Sequence, residues 1–216
     1  TRAAIMERIE ERLSRRLLPG QAFSLTAFQE KAISDPRFFQ DQERDADVRH
    51  LMVQGATSAG KTLLSELNIL DTVRPNQRSA IVLVPLKAMV HERTEQFRQD
   101  MGEHFNVYGS SSDHMEYDEL IISGDYDVAV IVYEKFFSML SQGSAKIMEK
   151  CKLLVVDELS MLSREQRGPK LEMALEVVRG NYPDTRIMCL ATCDCSTAKI
   201  CEWLGIPEPI ISSARP

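Results

Sequence analysis

The run Gly55-Ala56-Thr57-Ser58-Ala59-Gly60-Lys61-Thr62 constrains this chain more than any other stretch. It fits G-x-x-x-x-G-K-[ST], in which a glycine-rich turn points backbone N–H groups inward at an anion. The chemistry implied is that of a nucleotide's phosphates. Lys61 places a positive charge on the β- and γ-phosphates, and the Thr62 hydroxyl goes to Mg²⁺. The flanks agree with this reading. Residues 50–53 read as a buried strand entering the turn, and 61–73 as a helix leaving it. The phosphates would then meet a helix N-terminus, where unpaired N–H groups and the helix dipole favour an anion.

From residue 50 onward the chain alternates between two patterns. Apolar runs of strand length fall at 50–53, 79–84, 127–132, 152–156 and 186–191, with Ile210-Ile211 opening a further one. Helical patterns lie between them at 61–73, 86–101, 134–149, 164–179 and 196–204. The strand runs are continuously apolar rather than alternating, so both of their faces are expected to be buried. That predicts an α/β domain, a mainly parallel sheet with helices on both faces. Upstream, residues 4–18 read as an amphipathic helix closed by Pro19-Gly20, and 25–34 as a second short helix. The polar stretch 35–49 reads as a solvated connection.

Composition narrows the function classes. The 216 residues suffice for one large domain with a full core, and no apolar run reaches the ~18 residues of a membrane span. The charged N-terminus lacks a signal-peptide pattern. A net charge of −6 argues against binding a polyanion by bulk charge, which leaves only a local basic groove. Five cysteines in so long a chain do not form a disulfide framework, so a reducing cytoplasm or nucleus is expected. Cys189, Cys193, Cys195 and Cys201 have an irregular spacing that suits buried thiols rather than a metal. The four histidines show no ligand spacing.

The second informative run is Lys152-Leu-Leu-Val-Val-Asp157-Glu158, an apolar strand ending in two carboxylates. In an open α/β sheet, ligands sit at the carboxyl ends of strands, which puts Asp157 on the same edge as the phosphate loop. Asp157 can hold Mg²⁺ directly or through a water. Glu158 can orient or deprotonate an attacking water. A phosphotransferase, whose acceptor is a hydroxyl, has no need of the second carboxylate, so the pair favours hydrolysis.

The order of motifs resembles the first RecA-like domain of superfamily 2 nucleic-acid helicases, in the branch that includes the Ski-type and archaeal repair helicases. Residues 23–33 are similar to that group's Q motif, with Gln29 reading adenine, and 55–62 are its motif I. Val84-Pro85-Leu86-Lys87-Ala88 is similar to motif Ia. Tyr133-Glu134-Lys135 is similar to motif Ib, with Val132 or Tyr133 in place of a Ser/Thr-type residue. The resemblance implies that these two segments touch nucleic acid, on a surface opposite the nucleotide. Asp157-Glu158-Leu159-Ser160 matches motif II with Ser160 in place of the usual His, and Leu190-Ala191-Thr192 resembles motif III with Leu190 in place of Ser. Ser160, Ala191 and Thr192 are thereby implied in coupling hydrolysis to strand movement.

The resemblance implies ATP and Mg²⁺ as cofactors and an ATP-dependent DNA or RNA helicase as the whole protein. It divides the chain into a helical extension over 1–22 and a RecA-like P-loop NTPase domain over 23–216. The motifs of a second RecA-like domain, which supplies arginine fingers in that family, do not occur here. The chain is therefore expected to be one piece of a longer polypeptide, poorly active alone. Two other readings stay open: a degenerate domain that binds nucleotide as a scaffold, and a P-loop phosphotransferase.

Overall fold

Each strand presents apolar side chains to both faces of a sheet, so each needs helices above and below it. The computed structural model meets that need with a seven-stranded, all-parallel sheet. It describes Glu7 and residues 24–39, 50–56, 59–143, 145–160, 168–192 and 197–211. The strands are β1 (Leu51–Gln54), β2 (Ser79–Val84), β3 (Val107–Ser110), β4 (Val128–Val132), β5 (Cys151–Val156), β6 (Arg186–Ala191) and β7 (Ile210–Ile211). Their spatial order is β3-β4-β2-β5-β6-β1-β7. The helices are α1 (Ala27–Ser34), α2 (Lys61–Thr72), α3 (Lys87–Met101), α4 (Asp118–Ser123), α5 (Tyr133–Ser141), α6 (Lys146–Glu149), α7 (Gly168–Asn181) and α8 (Ala198–Leu204).

The side-chain period of two divides the core. Leu51, Val53, Val82, Val84 and Val130 face one side, where they meet Phe28 of α1, Leu64 and Leu67 of α2, and Val90 and Phe97 of α3. Met52, Ile81, Leu83, Ala129 and Ile131 face the other, against Phe136 of α5, Leu171 and Leu175 of α7 and Cys201 of α8. The strands read from sequence at 79–84 and 186–191 match β2 and β6 at both ends. The single helix expected over 134–149 is instead two, α5 and α6, separated by a turn that includes Gln142 and Gly143. β3 and α4 lie in 102–126, where neither periodicity is present.

The start of the 35–49 stretch is not a solvated connection. Phe38 is fully buried and packs edge-on against Phe39. Its carbonyl accepts 2.9 Å from Arg186, a guanidinium only 1% exposed at the start of β6. Arg186 also donates to Asn68 Oδ1 of α2 at 3.0 Å and to the carbonyl of Arg37. One buried cation thus ties the chain after α1 to the helix that follows the phosphate loop. A buried charge is tolerable only with such partners. The expected helix over 4–18, like residues 40–49, lies outside the described residues apart from Glu7.

Among the described residues no helix is long and apolar enough to cross a membrane. Cys151, Cys189 and Cys201 are buried free thiols. Burial pushes the Cys151 thiol up to about 12 and raises Cys189 and Cys201 as well, so none is a ready nucleophile. Cys193 and Cys195 lie outside the described residues.

Arg186→Leu is expected to destabilise the fold by about 3 kcal/mol or more, because the carbonyls of Arg37 and Phe38 and the Asn68 amide lose a charged donor. Urea denaturation measures it; a loss below about 1 kcal/mol would show that water replaces the guanidinium there.

Candidate nucleotide site and its flanking surface

The loop after β1 begins with the Gly55 N–H bonded to the carbonyl of Ala191, 3.1 Å away at the end of β6. Helix α1 presses on this loop at both of its glycines. A Cβ on Gly55 would sit 2.7 Å from the Phe28 ring. One on Gly60 would sit 2.2 Å from Gln29 Nε2, and Gly60 also has φ +74, the left-handed region that disfavours other residues. The loop therefore requires glycine twice, for close approach and for backbone conformation. Thr57 and Ser58 lie outside the described residues.

Gln29 is 6% exposed and its amide is engaged at both ends. Oε1 accepts from the Thr26 N–H at 2.9 Å, completing a capping box at the start of α1, and Nε2 donates to the Gly60 carbonyl at 3.3 Å. Lys61 begins α2 and turns its ammonium back over the loop, donating to the carbonyls of Gly55 at 2.9 Å and Ala56 at 2.8 Å. That places a buried positive charge among the loop's backbone groups. Thr62 follows in the first turn of α2, half-buried.

β6 separates β1 from β5, so the loop and the Asp157-Glu158 turn flank the carboxyl end of one strand. The Asp157 N–H continues the ladder to the Leu83 carbonyl at 2.9 Å. Burial pushes the Asp157 carboxyl up, opposed by the positive charges of Arg93 and Lys61. Arg93 of α3 reaches Asp157 Oδ2 at 3.4 Å and donates to Gln96 Oε1 at 3.0 Å. Gln96 in turn donates to Glu66 of α2 at 2.6 Å. A polar chain thereby runs from the carboxylate back to the helix of the phosphate loop. A carboxylate beside a threonine-bearing loop offers the hard oxygen donors that suit Mg²⁺.

Glu158 has φ +57, a left-handed conformation that costs a non-glycine residue about 1–3 kcal/mol. Leu159 and Ser160 follow in a short 3₁₀ turn, with Leu159 fully buried. The Tyr133 hydroxyl donates to the carbonyl of Asp157. Tyr133 is 0% exposed, which corrects its reading as a nucleic-acid contact: the ring faces the core, not a surface. Ala191 is buried, and the Thr192 carbonyl accepts from Gln54 Nε2 at 3.0 Å, so both are wired to the end of β1.

Motifs Ia and Ib follow adjacent strands β2 and β4, so Lys87 and Lys135 share the sheet's carboxyl edge. This is the same edge that bears the phosphate loop, on the other half of the sheet, and not the opposite surface expected from sequence. Pro85 is buried, whereas Leu86 is 44% exposed at the start of α3. Both lysines meet carboxylates from the segment after β3. Lys87 pairs with Asp113 at 2.9 Å, both side chains being more than half exposed. Lys135 pairs with Asp118 at 2.6 Å and donates to the Ser111 carbonyl at 2.7 Å, both side chains being largely buried. Glu134 lies half-buried between Tyr133 and Lys135. Sequence reasoning missed Asp113 and Asp118, and also Arg93. Arg93 had a readable signal: a cation three residues after Val90 and four before Phe97, on the helix's apolar stripe.

Comparison with known proteins bears on this geometry. The family model of the DEAD/DEAH box helicases matches residues 26–200. Proteins named ATP-dependent DNA helicase Hel308 are similar to this chain. The one from Thermoplasma volcanium is 31% identical over 93% of the chain and 28% of its own length. That from Pyrococcus horikoshii is 30% identical over 93% of the chain and 26% of its own length. That from Thermococcus kodakarensis is 31% identical over 78% of the chain and 14% of its own length. The chain thus spans well under a third of each of these relatives.

The two candidate contact lysines are expected to separate in stability measurements. Lys135→Met should cost about 1–2 kcal/mol, since Asp118 keeps only its bond from the Ser110 hydroxyl and the Ser111 carbonyl loses its donor, which frees the segment after β3. Lys87→Met should leave the urea midpoint unchanged, its pair being open to solvent. Equal effects would mean that Lys135 does not anchor that segment.

Proposed function

This chain belongs to the DEAD/DEAH box helicase family, and on that premise we propose that it is the ATP-binding half of a DNA-translocating motor. ATP phosphates bind the loop from Gly55 to Thr62, through Gly55, Ala56, Thr57, Ser58, Ala59, Gly60 and Lys61. Lys61 exchanges its carbonyl partners for β- and γ-phosphate oxygens. Gln29 offers the second N–H of its Nε2 to the adenine edge while keeping its bond to Gly60. Thr62 and Asp157 hold Mg²⁺, which supplies charge neutralisation on the phosphates. Glu158 orients the attacking water. The observation that carries this reading is the placement of Lys61 and the Asp157-Glu158 turn on either side of one strand end, with a buried cation facing a buried carboxylate.

A second RecA-like domain in the intact protein closes over the nucleotide and supplies arginine fingers. Lys87 and the segments around Pro85-Leu86 and Glu134-Lys135 meet one strand of nucleic acid. The choice of DNA rests on the names of the relatives. Ser160, Ala191 and Thr192 carry coupling; the bonds from Ala191 and Thr192 to the end of β1 support this, because a shift there moves the loop's entry. The buried thiols suit a reducing cytoplasm or nucleus.

Two variants test the reading. Lys61→Ala is expected to abolish binding of a fluorescent ATP analogue, since the loop loses its cation. Glu158→Gln in the full-length protein is expected to keep nucleotide affinity and lower kcat by at least ~10²-fold. A folded Lys61→Ala protein with unchanged affinity would end the assignment of the loop. Undiminished hydrolysis in Glu158→Gln would show that Glu158 does not orient the attacking water, and would weaken the hydrolase reading. The chain without its partner domain is expected to hydrolyse ATP ~10³–10⁵-fold more slowly than the intact protein, the scale of a missing arginine finger.

A further inference from the structure

We propose that Tyr133 is a positioning residue for Glu158: its hydroxyl holds the peptide plane from which that carboxylate is aimed. The proposal rests on Glu158 orienting the attacking water, as read above. Tyr133 is the first residue of α5, immediately after β4, and Asp157 follows β5. β2 lies between those strands, so the phenol spans the end of β2 to reach the turn.

The geometry bears directly on one dihedral angle. The hydroxyl donates to the carbonyl oxygen of Asp157 and lies 3.5 Å from that of Glu158. The Asp157 carbonyl belongs to the peptide that joins Asp157 to Glu158. Rotation about the next bond, N–Cα of Glu158, is the φ that stands at +57. A non-glycine residue stays in that region only when its surroundings hold it there. Here the plane before it is held by the Tyr133 hydroxyl, and the chain after it by the fully buried Leu159. Release of the plane lets Glu158 relax to negative φ, which swings its Cα–Cβ bond and carries the carboxylate away.

Packing and positioning are separable because different atoms serve them. The ring belongs to the core cluster with Phe136 and Leu171, whereas the hydroxyl bonds the backbone of the turn. Tyr133→Phe keeps the first and deletes the second. In the full-length protein this variant is expected to lower kcat for ATP about tenfold or more. KM and affinity for a fluorescent ADP analogue should stay within twofold. Hydrogen exchange should rise at the amides of 157–160 and not across the core strands. The double variant Tyr133→Phe with Glu158→Gln should be no slower than Glu158→Gln alone, because both act through one group.

Unchanged kcat in Tyr133→Phe, beside a clear fall in Glu158→Gln, would overturn the proposal and leave the functional reading standing. So would multiplied effects in the double variant, or exchange raised evenly through the core. No effect of Glu158→Gln would overturn both. Should Tyr133→Phe fold poorly, fluorinated tyrosine incorporated at position 133 keeps the shape and alters the hydroxyl's donor strength. Then kcat should move with fluorination and KM should not; a kcat indifferent to fluorination counts against the proposal.

Discussion

The contact on which the rest of the site depends is that of helix α1 with the loop after β1. Phe28 and Gln29 occupy space that a side chain at Gly55 or Gly60 would need, so backbone packs directly against side chain. That approach brings the Gln29 amide onto the Gly60 carbonyl, at the residue whose left-handed conformation starts α2. The capping box that begins α1 uses the same glutamine. Behind this contact, Arg186 fastens the chain after α1 to Asn68 of α2. Two helices are therefore locked around the loop from front and back, and Lys61 can fold its ammonium inward only because α2 starts where it does.

Across β6, the Asp157-Glu158 turn departs from local rules. It holds a carboxylate buried at 6% exposure and a glutamate in a conformation that glycine prefers. Neither arrangement stabilises the fold. Both are maintained from outside the turn, by Arg93 on the carboxylate and Tyr133 on the backbone. Departures of this kind gather where geometry serves chemistry rather than folding. The tethers come from α3 and α5, the two helices whose first turns bear Lys87 and Lys135.

Much of this was legible in the sequence, and the parts that were not share a physical cause. Continuous apolar runs locate β2 and β6 because a strand buried on two faces is apolar along its length, the buried Ser79 and Arg186 standing only at the first position of each. β3 escaped because Val107-Tyr-Gly-Ser is short and contains glycine and serine, so it shows no apolar run although it is largely buried. The residue types at Lys61, Asp157 and Glu158 marked the candidate nucleotide site, because their spacing follows from the chemistry of phosphates. Tyr133 was legible as a motif position and illegible in direction. A residue at a strand-to-helix junction can point to solvent or to the core, and only the packing of α5 decides. The carboxylates that pair with Lys87 and Lys135 are 17 to 26 residues away in the chain, beyond the reach of any local pattern.

Those lysine pairs have a consequence for how this surface responds to ions. A polyanion that docks on a bare lysine liberates a condensed small cation, and the liberated ions make its binding fall steeply with salt. Lys87 already carries the carboxylate of Asp113. A phosphate arriving there exchanges one anionic partner for another, and the displaced aspartate must find its own cation from solution. That uptake offsets part of the release, so a nucleic-acid strand bound here in the way proposed above would respond less to ionic strength than the lysines alone suggest. Such a grip would be tuned by internal competition rather than by accumulated charge.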